Sequence, residues 1–69
     1  MKKSKKLRKL QKSAKMGNAP AMYRLGLCYE KGILVAADPE LAAEWIALAT
    51  FADYPPAIQW MKEHGGTED

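Results

Sequence analysis

The residues able to do chemistry in this 69-residue chain are few and scattered. His64 is the only histidine and Cys28 the only cysteine. A thiol and an imidazole make a nucleophilic pair only when they meet in an accessible cleft. Cys28 instead falls on an apolar helical arc, where a cysteine acts as a small hydrophobe. His64 lies near the end of the chain and is expected to pack or to face solvent. Glu40 and Glu44 stand one helical turn apart, a spacing that could bridge a metal ion. Without histidine or cysteine partners, the plainer reading of the pair is a solvated helix face. Gly32 and Gly65-Gly66 follow no strand, so no phosphate-cradling loop is expected. The reading is non-enzymatic: no catalytic residues, no metal ligands and no cofactor site.

Binding chemistry is better represented. Lys5, Lys6, Arg8, Lys9 and Lys12 form a basic patch within a first segment holding eight basic groups in fifteen residues. Such a patch could neutralise phosphates, giving salt-sensitive affinity for nucleic acid. No aromatic residue is interleaved there to stack on bases. Its apolar stripe is too thin for a membrane anchor. The whole chain is polarised. Residues 1–29 carry nine basic groups and no acid, whereas residues 30–69 carry all eight acids against Lys31 and Lys62. The halves therefore stand at +9 and −6.

Four helices are expected to position these groups. Over 3–16, Leu7, Leu10 and Ala14 recur at i, i+3 and i+7, so one side packs and the lysines stay wet. Gly17-Asn18 supplies a helix stop followed by an N-cap, and Pro20 fits the first turn of a second helix over 19–31. Along that stretch Ala21, Met22, Leu25, Gly26, Cys28, Tyr29 and Gly32 share one arc wider than half the circumference. Gly26 costs about 1 kcal/mol against alanine in a helix interior, so a neighbouring helix is expected to lie close to its bare backbone. Asp38-Pro39-Glu40 starts a third helix, 39–52, with Leu41, Ala42, Trp45, Ile46, Leu48, Ala49 and Ala52 on its apolar arc. The apolar connection Ile33–Ala37 is expected to tuck beneath the neighbouring helices. Asp53-Tyr54-Pro55-Pro56 breaks the chain before a fourth helix, 55–64, lined by Ala57, Ile58, Met61 and His64. Residues 65–69 read as a frayed tail.

A chain this short buries only about 60 % of its unfolded surface, so it is read as one small domain, 1–69, of marginal stability. No apolar run is long enough to span a membrane. The basic start continues as LRKLQKSAK rather than as an apolar stretch, so no signal peptide is expected. With one cysteine, a disulfide-stapled secreted scaffold is not expected either. The expected setting is bacterial and cytoplasmic.

Shifting the chain by 36 residues lays Pro20 on Pro56, Ala21 on Ala57 and Leu25 on Met61, as in a two-helix repeat. The spaced set Ala21, Leu25, Gly26, Tyr29, Gly32, Val35, Asp38, Ala42, Trp45 and Ala49 resembles the SEL-one-like repeat (SLR) family, a relative of the tetratricopeptide repeat. Ala14, Gly17 and Ala57 extend the likeness, which covers about 14–57. It departs at Leu34, where the family has a second loop glycine, at Thr50, at Asp53, where another glycine is usual, and at Met61-Lys62. The resemblance implies an all-α fold. Four short antiparallel helices would form a right-handed helix-pair solenoid fragment, one full repeat flanked by two half-repeats. It also implies an adaptor in protein complexes, with Trp45 as core rather than ligand platform.

Three surfaces follow from this arrangement. Tyr23 and Leu27, flanked by Arg24 and Lys31, with Gln59 and Glu63 as their counterparts one repeat later, form a candidate groove for a peptide or partner protein. The competing reading is that Tyr23 and Leu27 pack under the first helix. The basic first helix is a rival site for nucleic acid. Head-to-tail self-association, joining the basic end to the acidic one, is the third.

Overall fold

The computed structural model describes residues 5–64, and everything said of structure below concerns those residues. Four helices follow one another: α1 (Lys5–Lys15), α2 (Ala19–Lys31), α3 (Pro39–Phe51) and α4 (Pro55–His64). The described residues contain no strand. Each helix packs on the next through a short connection, giving a helical solenoid 44 × 22 × 14 Å in extent. The expected start of the first helix at residue 3 and the expected tail 65–69 lie outside the described residues. The first helix stops at Lys15 rather than at residue 16, because Gly17 turns left-handed (φ +93°) immediately afterwards.

Local chemistry sets the helix starts. Asn18 caps α2, its side-chain oxygen accepting a hydrogen bond from the Ala21 N–H at 3.2 Å. Asp38 does the same for α3, accepting from the Leu41 N–H at 3.1 Å. Pro20 and Pro39 each sit in a first turn, where an absent N–H breaks no helical bond. Gly32 closes α2 in the left-handed conformation, donating its N–H to the Cys28 carbonyl. The Asp38 N–H then donates to the Tyr29 carbonyl at 2.8 Å, drawing the connection back onto the end of α2.

The core is built in two clusters. Ala14, Ala21 and Leu25 join α1 to α2, with Leu7, Leu10, Tyr29 and Trp45 around them. Ile46, Ala49 and Ala57 join α3 to α4, with Tyr54, Trp60 and Met61 around them. Met22 packs against both and links the clusters. Between α2 and α3 the backbones approach closely, as Gly26 requires. A β-carbon placed there would lie 2.5 Å from Ile46 Cγ1 and 3.0 Å from the Ala42 carbonyl oxygen.

Three packing expectations need correction. The connection Ile33–Ala37 is not tucked under the helices: Ile33 is 50 % and Leu34 48 % exposed. Its conformation is held by backbone hydrogen bonds at the end of α2 rather than by burial. Leu48 and Ala52 are exposed, because they project away from Ile46 and no helix covers that side. His64 does not line a buried side of α4. Its ring is exposed and stacks on Trp60, with centroids 4.3 Å apart, while Nδ1 lies 3.0 Å from the Trp60 carbonyl oxygen.

Two non-glycine residues adopt left-handed backbone: Leu34 (φ +69°) and Asp53 (φ +62°). Both stand where the resembled repeat carries glycine, so those two glycines answer a conformational demand that this chain meets with side chains. For leucine the left-handed region costs about 1–2 kcal/mol, and aspartate tolerates it better. Leu34→Gly therefore removes strain, partly offset by the extra freedom of glycine in the unfolded chain. We expect a net gain of about 0.5–1 kcal/mol, read as a rise of a few degrees in the thermal midpoint. Asp53→Gly should gain less.

Candidate protein-binding surfaces

Tyr23 and Leu27 are each half-buried on the side of α2 that turns toward α4. They pack against the cluster of Ile46, Ala49 and Ala57, and the Tyr23 ring meets that of Tyr54 at 5.7 Å and 60°. The reading that competes with an open groove has them pack under the first helix. The structure supplies α3, α4 and the turn between them instead. Part of each side chain remains accessible, so an apolar strip survives beside the Tyr54 ring. Gln59 and Glu63 are exposed on α4 and bond to each other, Gln59 Nε2 donating to Glu63 Oε2 at 2.9 Å. Lys31 is exposed in the last turn of α2.

Arg24 belongs to a different surface. It lines an open groove of about 740 Å³ between α1 and α2, together with Lys6, Lys9, Leu10, Pro20 and Leu34. The candidate residues thus divide between two sides of α2, and the structure does not gather Arg24 with Gln59 and Glu63. Leu10, Pro20 and Leu34 give the groove an apolar floor, and Lys6, Lys9 and Arg24 give it a cationic rim with no carboxylate among its lining residues. Sequence reading missed this groove. The signal was present in Leu34, the bulky residue at a glycine position. Arg8, Lys9, Lys12 and Lys15 line a second depression along α1, whereas Lys5 is exposed and lines neither.

The remaining chemistry-bearing residues stay apart. Cys28 is a half-buried free thiol. Glu40 and Glu44 are exposed, and no cluster of three or more metal-ligating side chains occurs among the described residues. None of the described helices is long and apolar enough to cross a membrane. The repeat-signature side chains behave as structure. Ala21, Leu25, Gly26, Ala42, Ala49 and Ala57 are buried, Tyr29 and Trp45 are half-buried around the first cluster, and Gly32 and Asp38 terminate and start helices.

A protein-family model, the Sel1 repeat, matches residues 19–50, which comprise α2, its connection and nearly all of α3. No curated protein and no solved structure gives a match. Sel1 repeats generally mediate protein–protein interaction.

Proposed function

We propose, from a chain whose residues 19–50 match the Sel1 repeat, that this protein is a non-enzymatic adaptor binding a peptide or partner protein along α2 and α4. The supporting observation is the half-exposed pair Tyr23 and Leu27, apolar side chains on the rim of the core that the fold does not fully cover. An aromatic ring held in place by Tyr54 is a preorganised contact that loses little entropy on binding. Lys31 on α2 and the Gln59–Glu63 pair on α4 would supply the polar rim.

The test uses peptides selected on the folded protein from a displayed random library. Tyr23→Ala and Leu27→Ala should each weaken the selected peptides about tenfold or more, equivalent to about 1.4 kcal/mol, while far-UV circular dichroism is retained. Unchanged affinity would remove this surface from consideration. Lost helicity would show that the two side chains serve the core alone.

The rival reading, a small basic nucleic-acid-associated protein working through α1, draws on the exposed cations Arg8, Lys9, Lys12 and Lys15. Contacts of that kind are phosphate contacts and fade steeply with salt. Retarded migration of duplex DNA or RNA that persists at about 300 mM salt would favour it over the adaptor reading.

A further inference from the structure

We infer that the groove between α1 and α2 receives the outer face of α3 from a second copy of this chain, so that copies associate heterologously, face to opposite face. The inference is independent of the α2–α4 surface.

The outer face of α3 is an unusual thing to leave in water. Glu44 and Leu48 each stand two residues from Ile46, which is 0 % exposed against α2. At 100° per residue, a two-residue step turns a side chain to the opposite side of the helix. Glu40, Glu44, Leu48 and Phe51 therefore form one stripe pointing away from α2. The stripe is about 16 Å long at the helical rise. Its first half is anionic and its second half apolar, with Leu48 44 % and Phe51 81 % exposed. Large apolar side chains gathered on one exposed face mark an interaction surface.

The groove is the chemical complement of that stripe. Lys6, Lys9 and Arg24 offer opposite charge to the carboxylates, and Leu10, Pro20 and Leu34 supply the apolar floor that Leu48 and Phe51 lack. The strain held at Leu34 places a leucine side chain at this groove where a glycine would leave the floor bare.

Geometry decides that the partner is another molecule. Arg24 stands two residues before Gly26, so it projects away from the α2 surface that touches α3. Groove and stripe thus lie on opposite sides of the α2–α3 pair. No chain can fold its own stripe into its own groove. Two different patches meeting in this way leave one groove and one stripe open on every dimer, so the contact can propagate. The charge complementarity also differs from a simple joining of chain ends. Of the six described acids, Asp38, Glu40 and Glu44 fall at the cap and in the first half of α3, whereas α4 places Lys62 beside Glu63.

Size-exclusion chromatography with light scattering tests this directly. At about 50 mM salt the mass should rise with protein concentration to at least twice that of the monomer, and at about 500 mM salt it should fall back, since exposed charges are then screened. Two variants separate the faces: Lys6→Gln with Lys9→Gln in the groove, and Glu44→Gln with Phe51→Ser on the stripe. Each alone should be monomeric, yet an equimolar mixture should form a one-to-one dimer, because one intact groove then meets one intact stripe. All four positions are exposed, so both variants should keep wild-type helicity. If either fails to fold, concentration-dependent amide shifts of the wild type decide instead, and they should be confined to the α1–α2 groove and outer α3. A wild type that stays monomeric at low salt, variants that still associate alone, or shifts elsewhere would each overturn the inference.

Discussion

Replacing Gly26 by leucine should abolish the folded state, and replacing it by alanine should lower the thermal midpoint by about 5–10 °C. In an isolated helix the alanine change would help by about 1 kcal/mol, because glycine loses more backbone freedom on ordering. The surroundings reverse that sign. A β-carbon at Gly26 would stand 2.5 Å from Ile46 Cγ1 and 3.0 Å from the Ala42 carbonyl oxygen. Neither atom is the movable end of a flexible chain. Cγ1 is held on a branched residue with no exposure, and the carbonyl belongs to the α3 backbone. To accommodate one methyl group, α2 and α3 must separate along their length. Overpacking of this kind costs about 1–3 kcal/mol, leaving a net loss of up to about 2 kcal/mol after the helical gain of about 1 is subtracted. Leucine asks for several times the volume. A chain below about 70–80 residues rarely holds more than 3–5 kcal/mol, so that loss exceeds what is available. Thermal unfolding followed at the helical circular dichroism band reads both outcomes. A Gly26→Ala protein more stable than wild type would mean that the two helices sit further apart than described.

Much of this fold is legible in the residues themselves. Gly26 in the middle of an otherwise good helix announces a close neighbour. Asn18 and Asp38, each followed by proline within two residues, announce helix starts, and both side chains cap as those spacings imply. Less legible is which partly apolar face is covered. Leu41 and Leu48 stand seven residues apart, within about 20° of each other around α3, yet Leu41 is half-buried and Leu48 open. Helical periodicity ranks the sides of a helix by polarity, but only the packing of its neighbours says where the covering ends. The same limit hides Arg24. Its position beside Tyr23 in sequence suggests one shared surface, whereas the helical turn sends it toward α1. The connection Ile33–Ala37 misled for a related reason. Its apolar composition implied burial, but the loop is held by the Gly32, Ile33 and Asp38 N–H groups and leaves Ile33 and Leu34 half outside.

Ile46→Ala should be the most damaging truncation in the chain, costing about 3–5 kcal/mol and leaving little folded protein at ambient temperature. Ile46 is fully buried, and with Leu25 it is the largest side chain so enclosed. It also serves two contacts at once. One is the bare backbone of Gly26 on α2; the other is the cluster with Ala49 and Ala57 that fastens α4 to α3. Its buried neighbours in that cluster are alanines, which have no side-chain reach to close a cavity. The cost should therefore lie toward the upper end of the range for such truncations. Urea unfolding of Ile46→Val, which removes a single methyl, gives a measurable first step of about 0.5–1.5 kcal/mol if the full truncation proves too unstable to study. Combining Ile46→Val with Gly26→Ala then asks whether the two sites share one contact. Valine keeps the Cγ1 position but lacks Cδ1, which a β-carbon at position 26 would approach to 3.1 Å, so that part of the crowding is relieved. The double variant should be less destabilised than the two single losses added together, with a coupling of about 0.5 kcal/mol or more. Strict additivity would place the crowding at the atoms valine keeps, the Cγ1 position and the Ala42 carbonyl, rather than at the Ile46 Cδ1 that it removes.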